Sequence, residues 1–180
     1  RTTHKVIVPI LPLFDWDILH TSVTGLAKYV TKFIEYKDYN QIHLLGNSLG
    51  GHVGLIYALK QPERIKSLTL TGSSGLFENA MGDSYPKRGD YEYIKNKTAQ
   101  TFYDPAVATT ELVDEVFEIT RNRIKVIKII ALAKSAIRNN LGEELSQIKT
   151  PTCLIWGKND IVTPPFVAEE FHKLIPQSEL

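Results

Sequence analysis

Apolar positions along the chain come in two rhythms, short unbroken runs and longer stripes at helical spacing. Lys5-Val6-Ile7-Val8-Pro9-Ile10 is a short apolar run interrupted by a proline, the form of a strand buried on both faces. From Ser22 onward, Val23, Leu26, Ala27, Val30, Phe33 and Ile34 recur three and four apart, until Tyr36-Lys37-Asp38-Tyr39-Asn40 breaks the pattern. That spacing predicts an amphipathic helix. Ile42 to Leu45 then reads as a strand, Leu49 to Lys60 as a helix stopped by Pro62, and Ile65 to Thr71 as another strand. Strands joined by single helices run parallel with right-handed crossovers, so the predicted class is α/β with a doubly wound, mostly parallel sheet.

After Gly72-Ser73-Ser74-Gly75 the character changes to a polar stretch holding Gly82, Pro86 and Gly89, followed by helical segments. Residues 76–148 are read as a helical insertion forming a lid, its apolar side chains turned toward the pocket. Leu112, Val116 and Ile119 form one stripe behind a Thr109-Thr110 start signal, and Ile124, Ile127, Ile130, Ala131 and Ile137 approximate another. Thr152 to Trp156 restores a strand, and Pro165 to Leu174 gives a last helix before Pro176. The core is thus expected in two pieces, 1–75 and 149–180, around the insertion.

Charge narrows the partners. Basic residues number 21 and acidic residues 20, a net charge of +1 over 180 residues, so no field gathers phosphates or acidic lipid. Nucleic acid and membrane surfaces are therefore not expected partners; a small-molecule substrate is, and a homodimer is compatible with the composition. The longest apolar stretch, Ile124 to Ile137, is broken by Lys125, Lys128 and Lys134 and falls short of the roughly 20 residues a bilayer requires. The lone Cys153, in the run Thr152 to Trp156, excludes an intrachain disulfide, reads as core filling and fits a reducing, cytoplasmic compartment. The chain opens on Arg1, and the expectation is that further polypeptide precedes it.

Gly46-Asn47-Ser48-Leu49-Gly50 lies between an apolar strand and an apolar helix. A serine at such a turn is forced outward above the sheet, and glycines two residues to either side let strand and helix approach. The Leu49 amide then faces the oxygen of an attacked carbonyl, with the positive end of the helix behind it. The alternative is a tight glycine turn with a helix-capping serine.

These residues, with Gly51 following and Ile155-Trp156-Gly157-Lys158-Asn159-Asp160 downstream, resemble the α/β-hydrolase superfamily. The Asn-Ser-Leu-Gly-Gly form and the helical insertion resemble its capped branch, which contains meta-cleavage-product hydrolases and carboxylesterases. The resemblance implies Ser48 as nucleophile, Leu49 as an oxyanion donor and Asp160 as the acid that orients a histidine, in a reaction needing no metal or organic cofactor. As a bare residue, Asp160 also suits a Gly-Lys-Asn-Asp turn.

Chain order in this fold is serine, acid, histidine, and only His172 follows Asp160. It sits on the polar side of its helix, too close in sequence. His4, His20, His43 and His52 read as structural or solvated, His52 being the least easily dismissed. The base is accordingly expected beyond Leu180, and the second oxyanion donor before Arg1. Trp16, Ser73 and Val162 are candidate substrate contacts, by their places after strands or beside Asp160; Asp15 and Asp17 are alternative acids or turn and capping residues. Serine at 48 argues against dehalogenase and epoxide hydrolase chemistry, which needs a carboxylate there. The expectation is hydrolysis of an ester or related carbonyl, including carbon–carbon cleavage, through an acyl-enzyme. A non-catalytic ligand receptor or scaffold of the same fold is the alternative.

Overall fold

The computed structural model describes residues 3–77 and 89–180. Gly82 and Pro86 of the polar stretch, and that part of the insertion, lie outside the described residues. Helix α1 (Val23–Tyr36) begins where Ser22 accepts the Gly25 amide on its hydroxyl, and buries Val23, Leu26, Ala27, Val30 and Ile34. It is followed by β1 (Ile42–Asn47), α2 (Leu49–Lys60), β2 (Ile65–Thr71), α3 (Tyr91–Ala99), α4 (Thr110–Arg121), α5 (Arg123–Arg138), β3 (Thr152–Ile155), α6 (Pro165–Leu174) and β4 (Ser178–Glu179).

The strands form one parallel sheet in the order β1-β2-β3-β4. Neighbours in sequence are neighbours in the sheet, so crossovers of one hand place their connecting helices on one face. Leu44, Leu68, Leu70 and Leu154 point to that face, where α2 packs closely enough that a Cβ on Gly54 would meet Leu44 and Leu68. The opposite face carries Leu45 and Ile155, 69% and 53% exposed, and Cys153, also exposed. Cys153 is therefore not core filling: strand alternation turns Thr152 and Leu154 inward and Cys153 outward.

The strand expected at 5–10 does not form. Val6 and Val8 are 79% and 82% exposed, and the segment runs as extended coil. An apolar run becomes a buried strand only when a neighbouring strand takes its backbone groups and another layer covers it; among the described residues β1 pairs with β2 alone.

Between β2 and β3 the described residues are helical and irregular. Thr109 caps α4 as its position predicts, accepting the Leu112 amide, and Asn122 caps α5. The stripe on α5 is inverted. Val126, Leu132, Ser135 and Ala136 are buried, whereas Ile124, Ile127 and Ile137 are exposed. Two inward contacts choose the face: Lys128 donates its ammonium to the Phe14 carbonyl at 2.7 Å, and Ser135 accepts the Val23 amide at 3.1 Å. Leu132 and Ala136, with Leu141, Leu145 and Ile148, join the core of α1, α2, the sheet and α6. No described helix is long and apolar enough to cross a membrane.

The inversion is testable by urea unfolding. Leu132→Ala should lower stability by about 2–4 kcal/mol through lost burial and a cavity, while Ile124→Ser should stay within about 0.5 kcal/mol of the parent. The reverse ranking would restore the stripe predicted from the sequence.

Candidate active site

The turn from β1 into α2 holds Ser48 at φ 48° and ψ −116°, a left-handed conformation that an L-residue adopts only when its surroundings impose it. The surroundings are visible. The Ser48 amide donates to the Thr71 carbonyl at 3.1 Å, and the Ser48 carbonyl accepts the amides of Gly51, His52 and Ser74 at 2.9, 3.2 and 3.2 Å. Its hydroxyl makes no capping bond to α2, which removes the capping-serine alternative and leaves the oxygen exposed. The Leu49 amide, first of the helix, lies ahead of the intrahelical ladder, where N–H groups are open to an anion.

Two glycines make this turn, and they are not the symmetric pair expected. A Cβ on Gly46 would overlap the Gly50 carbonyl, and one on Gly51 would enter the Ser73 side chain, whereas one on Gly50 would meet nothing within 4 Å. The close approaches are therefore at 46 and 51.

Asp160 follows β3 in a loop that fixes its carboxylate. Oδ1 accepts the amides of Val162 and Thr163, both at 2.9 Å, and Oδ2 accepts the Thr163 hydroxyl at 3.0 Å. Trp156 clamps the same loop by donating its indole N–H to the Thr163 carbonyl at 2.8 Å. The carboxylate borders the end of β2: a Cβ on Gly72 would come within 3.2 Å of Oδ2 and 3.9 Å of the Asn47 amide nitrogen. Asn47 precedes Ser48 and donates to Thr71. Parallel strands thus bring Ser48, Gly72 and Asp160 to one end of the sheet.

The remaining candidates separate. Val162 lines, with Asp160, a cavity of about 380 Å³ whose far wall is Gln100, Thr101, Phe102 and Tyr103 from the insertion. Ser73 is fully buried beneath the elbow, packed on Gly51 and donating its hydroxyl to the Ser74 carbonyl at 2.8 Å, so as a substrate contact it is corrected to a support of the turn. Trp16 stacks edge-on against Tyr29, centroids 5.6 Å apart, and lines a groove along α1 that shares no residue with the Asp160 cavity. Asp17 binds His20 and the Leu19 amide, a turn role, and the His20 contact lowers its carboxyl pKa.

The histidines are engaged elsewhere. His20 pairs with Asp17, His43 with the Ser67 hydroxyl and His172 with the Ser178 hydroxyl, while His4 stacks edge-on against His43. His52 is wholly buried and its Nε2–H donates to the Asn139 carbonyl at 2.8 Å. Burial pushes its pKa below the ordinary histidine value, the Asn139 bond opposing only in part.

A strained serine between strand and helix, with an aspartate after a following parallel strand, defines a nucleophile-elbow hydrolase architecture. A model of the α/β-hydrolase fold family matches residues 2–180, and the chain belongs to that family. It is 30% identical over 151 residues to 2-hydroxy-6-oxononadienedioate/2-hydroxy-6-oxononatrienedioate hydrolase of Escherichia coli, spanning 77% of this chain and 52% of that one. Over the same length it is 27% identical to the dihydrolipoyllysine-residue acetyltransferase component of the acetoin cleaving system of Pseudomonas putida, 39% of which is covered. Among solved structures, MGS-MChE2, an α/β hydrolase from a lagoon-sediment metagenome of Mar Chica, Morocco, is 42% identical with a TM-score of 0.74, over 96% of this chain and 64% of that one. A meta-cleavage product hydrolase of Pseudomonas fluorescens, at 21% identity and TM-score 0.72 over 88% and 62%, shares the fold. The chain spans about half the length of the curated hydrolase it matches.

Gly46→Ala should cost at least about 2 kcal/mol, the Cβ having only backbone to displace, while Gly50→Ala should be neutral or gain up to about 1 kcal/mol of helix propensity. Thermal denaturation of the two variants checks the ranking. His52 adds a pH dependence. Its folded pKa is depressed, so the unfolded chain takes up a proton that the native state refuses, and stability is lost as pH falls below about 6.5. In urea melts at pH 7.5 and 5.0, His52→Gln should lose less on acidification than the parent.

Proposed function

We propose that this chain carries the nucleophile and acid of a serine hydrolase acting on an ester or related carbonyl compound. The observation that carries the reading is the left-handed Ser48 with an uncapped, exposed hydroxyl, beside an Asp160 loop on the same sheet end. In this reading Ser48 Oγ attacks the carbonyl carbon while a base takes its proton, and the Leu49 amide receives the charge developing on the carbonyl oxygen. Collapse expels the leaving group, which takes the proton from the protonated base; the base, free again, takes a proton from water as it attacks the acyl-enzyme, and returns that proton to Ser48 Oγ as the carboxylic acid leaves.

Asp160 orients that base and stabilises its protonated form. The contacts of the five histidines lie with Asp17, Ser67, Asn139, Ser178 and His43 and not with Asp160, so this reading assigns the base to none of them. That relative's activity makes carbon–carbon hydrolysis of an oxo-dienoate the first substrate class to try beside simple esters. Residues 76–148 act as the cap, and the cavity between Gln100–Tyr103 and the Asp160 loop, Val162 included and Ser48 not among its lining, is where substrate meets the acid side of the site. No metal or organic cofactor enters this chemistry; we place the protein in the cytoplasm, as a monomer or homodimer acting on a small molecule.

A fluorophosphonate probe should label Ser48 in the intact protein, and Ser48→Ala should abolish the label; modification at Ser73 or Ser74 instead would overturn the assignment. Asp160→Asn should lower kcat on the order of 10³–10⁴-fold with KM little changed. Saturable binding of substrate-like ketones with neither labelling nor turnover would favour a ligand receptor of this fold.

A further inference from the structure

His52 sits where three parts of the molecule meet, and the hydrolytic chemistry does not use it. The chain leaves the sheet for the insertion at Gly75-Leu76, and Asn139-Asn140-Leu141, just after α5 and still within 76–148, come back beside that exit. The two passages are tied together: the Leu141 amide donates to the Gly75 carbonyl at 2.8 Å, and the Asn140 side-chain amide donates to the Leu76 carbonyl at 2.7 Å. This is the neck of the insertion.

His52 touches both sides of it. Its ring lies against Gly75, where a Cβ would come within 3.3 Å of two ring carbons, and Gly75 holds φ at +112°, so a side chain there is excluded by both space and backbone. Its Nε2 lies 2.8 Å from the Asn139 carbonyl, an acceptor that assigns the proton to that nitrogen. Asn139 is held in turn: its side-chain amide donates to the Ser135 carbonyl at 2.7 Å, and the Ser135 hydroxyl accepts the amide of Val23 at the start of α1. At its other end His52 is in the first turn of α2, its amide donated to the Ser48 carbonyl at 3.2 Å. His52, Ser135 and Val23 are at most 1% exposed and Asn139 is half-buried, so water is kept from the Val23–Ser135 bond and from the His52 side of the latch.

We infer that His52 is a positioning residue that latches the neck of the insertion to the helix carrying Ser48, so that the height of the cap over the nucleophile, and with it selectivity for bulky acyl groups, is set through this side chain. The cap and nucleophile assignments are those of the proposed function; the latch itself is a matter of hydrogen bonds and is tested separately. A cap that moves relative to the elbow must break the Nε2–Asn139 bond or drag α2 with it. A donor at the Nε2 position is what the geometry requires, and glutamine supplies one where leucine does not.

The experiment compares His52→Leu, His52→Gln and Asn140→Ala in the intact protein. Its first readout is hydrogen exchange of the Leu141 amide at the neck, divided by that of the Leu68 amide, which donates to the Pro151 carbonyl beside the sheet and follows global unfolding. Losing the latch should raise this ratio about tenfold in His52→Leu, the equivalent of one hydrogen bond, with His52→Gln within about threefold of the parent. Asn140→Ala, a surface change that opens the neck without touching α2, should raise it as well. The second readout is kinetic. For a bulky aryl ester, kcat/KM should fall about tenfold in His52→Leu and Asn140→Ala, mainly through KM; p-nitrophenyl acetate should stay within about twofold, and His52→Gln should retain parent values for both. An unchanged exchange ratio in His52→Leu, equal losses on both esters, or failure of His52→Gln to preserve the ratio would each overturn the latch. If no variant, the parent included, turns over any ester, the serine hydrolase reading fails while the exchange ratios still decide the latch.

Discussion

The unfavourable backbone at Ser48 is the constraint around which the described structure is arranged. A left-handed serine costs about 1–3 kcal/mol, and it persists because a single carbonyl, that of Ser48, is claimed by amides from both α2 and the loop after β2. The neighbouring strand holds the Ser48 amide as well. These bonds in turn demand that α2 and the 72–75 loop approach to backbone distance. Glycine at 46 and 51 permits that approach, with the buried Ser73 filling the space beneath. Remove the strain and the serine hydroxyl would fold back to cap its helix, as serines at helix starts ordinarily do.

What the sequence discloses and what it hides divides along physical lines. Helices α1 and α6 are legible because each buries one face, and α2 and strands β1, β2 and β3 because each is a short apolar run with turn or breaker residues at its ends. The segment at 5–10 has the composition of a buried strand, yet strand formation depends on a partner that composition does not specify. On α5 isoleucine spacing names one face and the fold selects the other, because Ser135 and Lys128 have backbone partners in α1 and the 11–20 loop, more than 100 residues away in sequence. Long-range satisfaction of polar groups outweighs a weak apolar stripe there.

The candidate site shows the same division. The placing of Ser48, Leu49 and Asp160 is legible because it depends on local turns that the parallel sheet brings to one end. Ser73 follows a strand at that same end, but its depth is invisible in the sequence, since what buries it is the missing side chain of Gly51. Of the two glycines after Ser48, Gly51 is the one that packing requires. For His52 the available signal was a polar residue four places after Ser48 on a helix that is otherwise apolar as far as Lys60. Such a residue in a buried helix needs a partner, and the partner, Asn139, is 87 residues downstream.

The acid loop follows a different logic from the elbow. Asp160 carries its own scaffold: its carboxylate bonds fall within the next three residues, and the Trp156 clamp spans seven. Such a loop is oriented before any base arrives, so the carboxylate pays its ordering cost during folding and not during binding or catalysis. The elbow, by contrast, is held by α2, β2 and the 72–75 loop together. The Ser48 turn therefore depends on contacts with distant parts of the chain, and the insertion meets it through His52, which bonds Asn139 and packs on Gly75. A locally held Asp160 loop beside a Ser48 turn braced by three separate elements means that a change in the insertion reaches the two residues by different routes, through the loop's own short bonds for one and through α2 and the 72–75 loop for the other.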